Sequence, residues 1–152
     1  MGMAVVKVPA SDFLVEVENP TTPGSFVEIK GLNSLEFSPS AETADTTTWD
    51  DGGWNTHLVT RRGLQITLEG LRLEDPATGA RDQGQQIVEE LGMQVGLAAI
   101  GKFRLTSPGG EKWEFDATVN VTPLGGGQDD GATWSAELTV QGQPVLTRAG
   151  GA

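Results

Sequence analysis

A chain of 152 residues is long enough to bury a core of its own, and its lack of cysteine excludes both a disulfide framework and a thiolate metal site. A net charge of −11 with a pI near 4.3 argues against a surface built to grip nucleic acid, which needs a basic stripe. No apolar run approaches the roughly 18 residues of a membrane-spanning helix, and the 21 glycines follow no collagen-like period.

The expectation is a single domain over residues 1–152. The N-terminal MGMAVVKVPASDF has a short apolar patch and one lysine, but no h-region of a secretory signal. A soluble, cytoplasmic product is expected. Phe13 to Glu18 alternates, with Phe13, Val15 and Val17 on one side, and predicts a strand. Asn19 to Ser25 is a turn, broken by two prolines and a glycine. Phe26 to Lys30 resumes as a strand, Gly31 interrupts it as a bulge, and Leu32 to Phe37 continues it. Pro39 is expected to end that strand.

Next comes SPSAETADTTTWDDGGW, an extended loop at about residues 38–56. It is too rich in Ser, Thr, Asp and Gly to build a core, and no Lys or Arg occurs from Gly31 to Thr60. It nevertheless carries Trp49 and Trp54, which a disordered linker should lack. A loop this long inside a compact domain is usually functional. It reads as an arm that becomes ordered against a partner.

Arg62 to Glu69 is the return strand, with Leu64, Ile66 and Leu68 on one face and Gln65, Thr67 and Glu69 on the other. Pro76 to Arg81 is a turn. Asp82 to Ala99 predicts the one helix, with Asp82 as cap and Ile87, Val88, Leu91 and Val95 as a narrow apolar stripe. Its glycines leave it dependent on packing. Lys102 to Thr106 pairs through Ser107 to Gly110 with the strand starting at Lys112, whose Trp113, Phe115, Ala117, Val119 and Val121 face inward. Pro123 to Gly131 is a loop. Ala132 to Gln141 places Trp134, Ala136, Leu138 and Val140 inward. From Gly142 the chain has no pattern and is expected to be a flexible tail. Alternation this regular predicts a mainly β fold, a β-sandwich or partly open barrel with one flanking α-helix.

Catalytic signals are weak. His57 is the one histidine and has no nucleophile motif beside it; no GxSxG, HExxH or P-loop pattern occurs. Asp50-Asp51-Gly52 and Asp129-Asp130-Gly131 offer oxygens to Ca²⁺ but lack the EF-hand spacing, and turn chemistry accounts for both. Trp113 and Trp134 fall on apolar strand faces and read as core. Trp49 and Trp54 read as interface anchors. No catalytic residue, metal or cofactor is assigned, and no enzyme activity is expected. The rival to a structural role is a carbohydrate- or Ca²⁺-binding β-sandwich module.

GLNSLEFSPSAETADTTTWDDGGW, then RRGLQITLEGLRLEDPATGARDQGQ, then KFRLTSPGGEKWEFDATVNVTPLGGGQDDGATWSAELTV resemble the major tail tube proteins of long-tailed, non-contractile bacteriophages. The resemblance runs from about Phe13 to Val140. It implies a fold shared with type VI secretion tubes, and hexameric rings stacked into a hollow virion tube that conducts DNA at genome ejection. It further implies synthesis in the host cytoplasm and contacts with tape measure, terminator and distal tail proteins. The arm would reach a neighbouring subunit through Ser38, Glu42, Asp45, Thr47, Trp49, Asp50, Asp51 and Trp54. The polar faces flanking it, Glu28, Ser34 and Glu36 before and Gln65, Thr67 and Glu69 after, are the lumen-facing candidates. DNA would pass them without specific binding.

Overall fold

The computed structural model describes residues 6–126 and 131–148. Among the described residues, seven strands form one antiparallel sheet: β1 Leu14–Glu18, β2 Phe26–Glu28, β3 Leu32–Asp45, β4 His57–Leu71, β5 Ile100–Thr106, β6 Lys112–Gly125 and β7 Thr133–Thr147. One helix, α1 Gln83–Leu91, packs on it, and the spatial order is β2-β1-β5-β6-β7-β4-β3. The two edge strands, β2 and β3, are therefore consecutive in the chain. Six gaps of about 4.8 Å would part the edges of a flat sheet by roughly 29 Å. The short link Ile29 to Gly31 reaches at most roughly 14 Å. The sheet must therefore roll until its edges come within that reach at the Ile29–Gly31 link, without pairing, which makes it the partly open barrel of the two architectures expected.

The rolled inner face is the core. Val15, Val17, Ile66, Leu68, Phe103, Leu105, Phe115, Ala117, Trp134, Ala136 and Leu138 are buried there. Ile87, Val88 and Leu91 of α1 join them. Asp82 caps the helix as expected, its side chain accepting from the Gln85 N–H at 3.1 Å. The helix stops at Leu91 rather than Ala99. Gly92 caps it, a short 3₁₀ turn spans Gly96–Ala99, and Val95, expected on the buried stripe, is exposed.

Three strands run on through a proline, further than the sequence reading allowed, and β4 starts earlier, at His57 rather than Arg62. β3 continues past Pro39 to Asp45, so the expected loop is for most of its length a β-hairpin. β7 continues past Pro144 to Thr147, so Gly142 to Thr147 is strand and not a patternless tail. β6 continues through Pro123 to Gly125. A proline removes one ladder donor, which is tolerated at an edge or a bulge. Pro39 lies on edge strand β3. Pro144 lies beyond Thr133–Thr139, the part of β7 that pairs with β4. Pro123 lies in the irregularity between Thr122 and Gly125.

The corner where the sheet edges come together is held by two side chains at the start of α1: Asp82, which accepts from the Lys30 N–H at 3.2 Å, and Gln85. Gln85 is fully buried; its Nε2 donates to the carbonyls of Lys30 at 2.9 Å and Leu71 at 2.8 Å, and its Oε1 accepts from the Leu73 N–H at 3.2 Å. α1 reaches this corner because Gly84 lies against the β2 backbone, where a side chain would collide with the Glu28 carbonyl oxygen. Gly31, at φ 82°, makes the bend itself.

Candidate assembly surface

β4 pairs with β7 only from Gln65 to Leu71. Its first half, His57 to Leu64, pairs with β3 alone, so the arm leaves the body as a two-stranded ribbon. Such a ribbon is marginal in water unless something packs on it. A register shift between Glu42 and Thr43 leaves Thr60 unpaired, with its hydroxyl donating to the Glu42 carbonyl at 3.1 Å, and bends the ribbon midway.

The polar composition of the tip, expected to leave it without structure of its own, builds its hydrogen-bond framework instead. The Thr46 N–H donates to the Thr56 carbonyl at 2.9 Å, and the Thr56 N–H to the Thr47 hydroxyl at 2.9 Å. Asp51 accepts from the Thr48 N–H at 2.6 Å and the Thr56 hydroxyl at 3.3 Å. Asp45 accepts from the Thr47 N–H at 2.9 Å. The hydroxyl and N–H of Thr47 hold the Asp45 carboxyl below its ordinary pKa, and His57 opposite adds a smaller effect of the same sign. Gly52 and Gly53, at φ 64° and 88°, close the turn after a 3₁₀ turn at Trp49–Asp51. Held out on this frame, Trp49 is 103% and Trp54 79% exposed; Leu58 and Val59 are exposed beside them.

Each residue expected at the inter-subunit loop now has a place. Ser38 pairs with Gln65 near the foot of the arm, and Glu42 faces Arg61 in a loose, exposed ion pair. Thr47, Trp49, Asp50, Asp51 and Trp54 form the tip, with Asp45 opposite His57 at the end of the ribbon. Asp51 does turn chemistry, as expected. Asp129 and Asp130 lie outside the described residues. Among the described residues, no three His, Asp or Glu side chains gather as metal ligands. The four tryptophans share no face: Trp134 is buried, Trp113 packs edge-on to Phe37 with centroids 5.8 Å apart, and the other two stand at the tip.

The polar row beside the arm is continuous. Ser34 pairs with Glu69, Glu36 with Thr67 and Ser38 with Gln65. The register carries it onward: Glu69 to Ser135 and Thr122, Thr67 to Glu137 and Asn120, Gln65 to Thr139 and Thr118. These twelve residues include Glu36, Glu69 and Glu137 and no Lys or Arg. Glu28 lies apart, on β2 opposite Glu16. Alternation in Ala132 to Gln141 and Lys112 to Thr122 had already put Glu137 and Asn120 outward; the missing knowledge was which strands lie side by side.

The sequence reading also missed an exposed apolar segment. Met93, Val95 and Leu97, between α1 and β5, are 83%, 86% and 88% exposed. Counting from the early helix stop at Gly92 would have found it.

A rolled antiparallel sheet with one flanking helix and a long protruding hairpin is the architecture of a tube-forming subunit. The chain belongs to the family described as phage tail tube protein, whose model it matches over residues 7–146. Members are structural virion components and not enzymes. Among solved structures, the chain is similar to one from the tail of an empty gene transfer agent particle refined with C6 symmetry: 20% identity, TM-score 0.74, covering 93% of this chain and 100% of that one. A chain of the native gene transfer agent virion gives 17% identity and TM-score 0.70, with coverage of 93% and 100%. The SPP1 tail tube gives 11% identity and TM-score 0.65, with coverage of 92% and 78%. Chains of the PVC extracellular contractile injection system share the fold at 12–14% identity, as in the sheath–tube complex at 14% and TM-score 0.58. The comparison with curated proteins gives no match.

Proposed function

We propose that six copies of this chain close into a ring, that rings stack into a hollow tube, and that the tube conducts phage DNA during ejection. The arm carries this reading: a two-stranded ribbon that leaves the body and ends in two unburied tryptophans has no role within one copy. The C6 symmetry of the gene transfer agent tail, on a chain of the same fold, supports the ring number. Ring closure needs heterologous contacts that repeat by rotation, and the free outer edges of β2 and β3 are suited to pair between copies.

The twelve-residue polar row of β3, β4, β7 and β6 lines the channel in this reading. A sixfold ring repeats Glu36, Glu69 and Glu137 into bands of negative charge that repel phosphates. With a screening length of about 8 Å in physiological salt, those bands act only on DNA close to the wall. Glu28, on the other edge strand, falls outside this row. Terminator, tape measure and distal tail proteins are the expected partners at the tube ends.

Negative-stain microscopy across protein concentration tests the proposal. Rings or tubes are expected at high concentration. A monomer by sedimentation at every concentration and salt, with no rings in micrographs, overturns it.

A further inference from the structure

The arm tip needs a receiving surface, and the register shows where the most exposed apolar cluster outside the arm, Met93, Val95 and Leu97, lies. Ile100 pairs with Thr118, Thr118 with Thr139, and Thr139 with Gln65. From that line, the residues before Ile100 run toward the Leu71 end of β4, and the arm runs the opposite way, from Leu64 to His57. The tip and the segment Gly92 to Ala99 therefore sit at opposite ends of the sheet, measured along its strands.

Both ends are apolar where water should reach them. The tip offers Trp49 and Trp54; the far end offers Met93, Val95 and Leu97, all more than four-fifths exposed. Neither group belongs to the core. Their charges are also compatible. The tip carries Asp45, Asp50 and Asp51, and no Lys or Arg lies from Gly31 to Thr60. On a chain of net charge −11, an acidic knob needs an acid-free seat. Gly92 to Ala99 holds no Asp or Glu, so the seat adds no repulsion of its own; Lys102 and Arg104 lie beyond Ile100 on β5, away from it, and Arg104 is paired with Glu16.

We propose that the segment between α1 and β5, Met93, Val95 and Leu97 foremost, receives the Trp49–Trp54 tip of a second copy stacked end to end. The proposal rests on the reading of the arm as the contact between copies and adds its seat. A knob at one end and a seat at the other make a heterologous contact that does not close on a pair of copies, so it propagates along an axis. Two tryptophans and three aliphatic side chains bury roughly 500 Å² from each partner, at the low end for a specific interface. The contact holds only when repeated around a ring, where multivalency multiplies it.

The chain has no cysteine, so disulfide trapping reads the contact directly. The W54C and V95C variants are made separately, mixed, assembled and oxidised. A W54C–V95C heterodimer is expected only in assembled material, because a disulfide needs Cβ atoms within about 4.5 Å. W54C mixed with P108C, on the turn between β5 and β6, is the control and should give at least about tenfold less. Tubes that form without the W54C–V95C bond, or that trap W54C with itself, overturn the seat and leave the tube reading standing. No rings or tubes from wild-type protein at any concentration overturn the tube reading and the seat with it. As a second readout, Leu97→Asp should keep the monomer melting temperature and cut tube mass at least tenfold. Normal tubes from Leu97→Asp count against the seat.

Discussion

Gln85 shows how one side chain fastens a corner that the strand order creates. Amide propensity is neutral in a helix, but spacing separates the two: Gln85 lies three residues before Val88 on the apolar stripe, and Gln86 three and four before Glu89 and Glu90. Gln85 alone is buried, and it satisfies backbone groups on both sides of the corner where the sheet closes. Gln85→Leu strands two carbonyls and one N–H away from water. At about 1–3 kcal/mol per orphaned group, partly relieved by relaxation, a loss of about 2–4 kcal/mol is expected. For a chain of this size that lowers the melting temperature by roughly 5–15 °C. A variant that melts with wild type would show that the corner holds without it. At the other end of the arm, Asp45 tests the tip framework. Its pKa is lowered from the ordinary 3.8 by Thr47, so its contribution is present above that value and is lost as pH falls through the lowered one. NMR titration of the Asp45 carboxyl should show the depression, and Thr47→Ala should raise the midpoint toward the ordinary value. An unchanged midpoint in Thr47→Ala would remove Thr47 as its cause.

The arm is the element whose sequence and structure pull furthest apart. Its Ser, Thr and Asp content reads as loop because those side chains compete with the backbone for hydrogen bonds. In the hairpin they do compete, at the mid-ribbon bulge through Thr60 and at the tip, where Asp45, Thr47, Thr48, Asp51 and Thr56 replace the missing ladder. Below the tip, Ser40 to Thr43 need no apolar face because the ribbon covers no core. Replacing Trp49 and Trp54 together with Ala removes nothing that the monomer buries. The monomer should keep its melting temperature within about 2 °C, the spread expected of neutral surface changes. Assembly, read by sedimentation, should need at least tenfold more protein. A large loss of monomer stability would mean that the tip packs on its own body and is not free to dock.

Across the whole molecule, charge and topology act together. A net charge of −11 keeps free copies apart at low concentration, and added salt should promote assembly by screening that repulsion. If the β3–β4–β7–β6 face lines the channel, reversing its charge must change how assembled tubes treat DNA. Tubes of Glu36→Lys with Glu69→Lys should retain DNA in low salt and release it as salt rises, while wild-type tubes retain none. Equal, salt-insensitive behaviour of the two would place that face away from the channel. A Ca²⁺-binding module, by contrast, would gain thermal stability from the ion. No shift in melting temperature is expected on adding Ca²⁺.

Period-two alternation was enough to predict a mainly β chain and the inward faces of β1, β4, β6 and β7; Pro and Gly marked the turn at Ser107 to Gly110, and an Asp ahead of the apolar stripe marked the cap at Asp82. Each depends only on residues close along the chain, and local geometry fixes the outcome. The run of Ser, Thr, Asp and Gly around two tryptophans was likewise enough to single out the arm. The rolled closure depended on strand order. That order places β2 and β3 at opposite edges of a sheet although a short link joins them, and Gln85 pins the result. The passage of β3, β6 and β7 through Pro39, Pro123 and Pro144 depended on which ladder side each proline faced, and that is set by partners far away in sequence. Val95 could not be placed by helical period, because the helix ends where Leu91 meets Gly101 and Gly92 meets Val121. Long-range contacts of this kind decide which apolar residues are core and which, like Met93, Val95 and Leu97, are left for a neighbour.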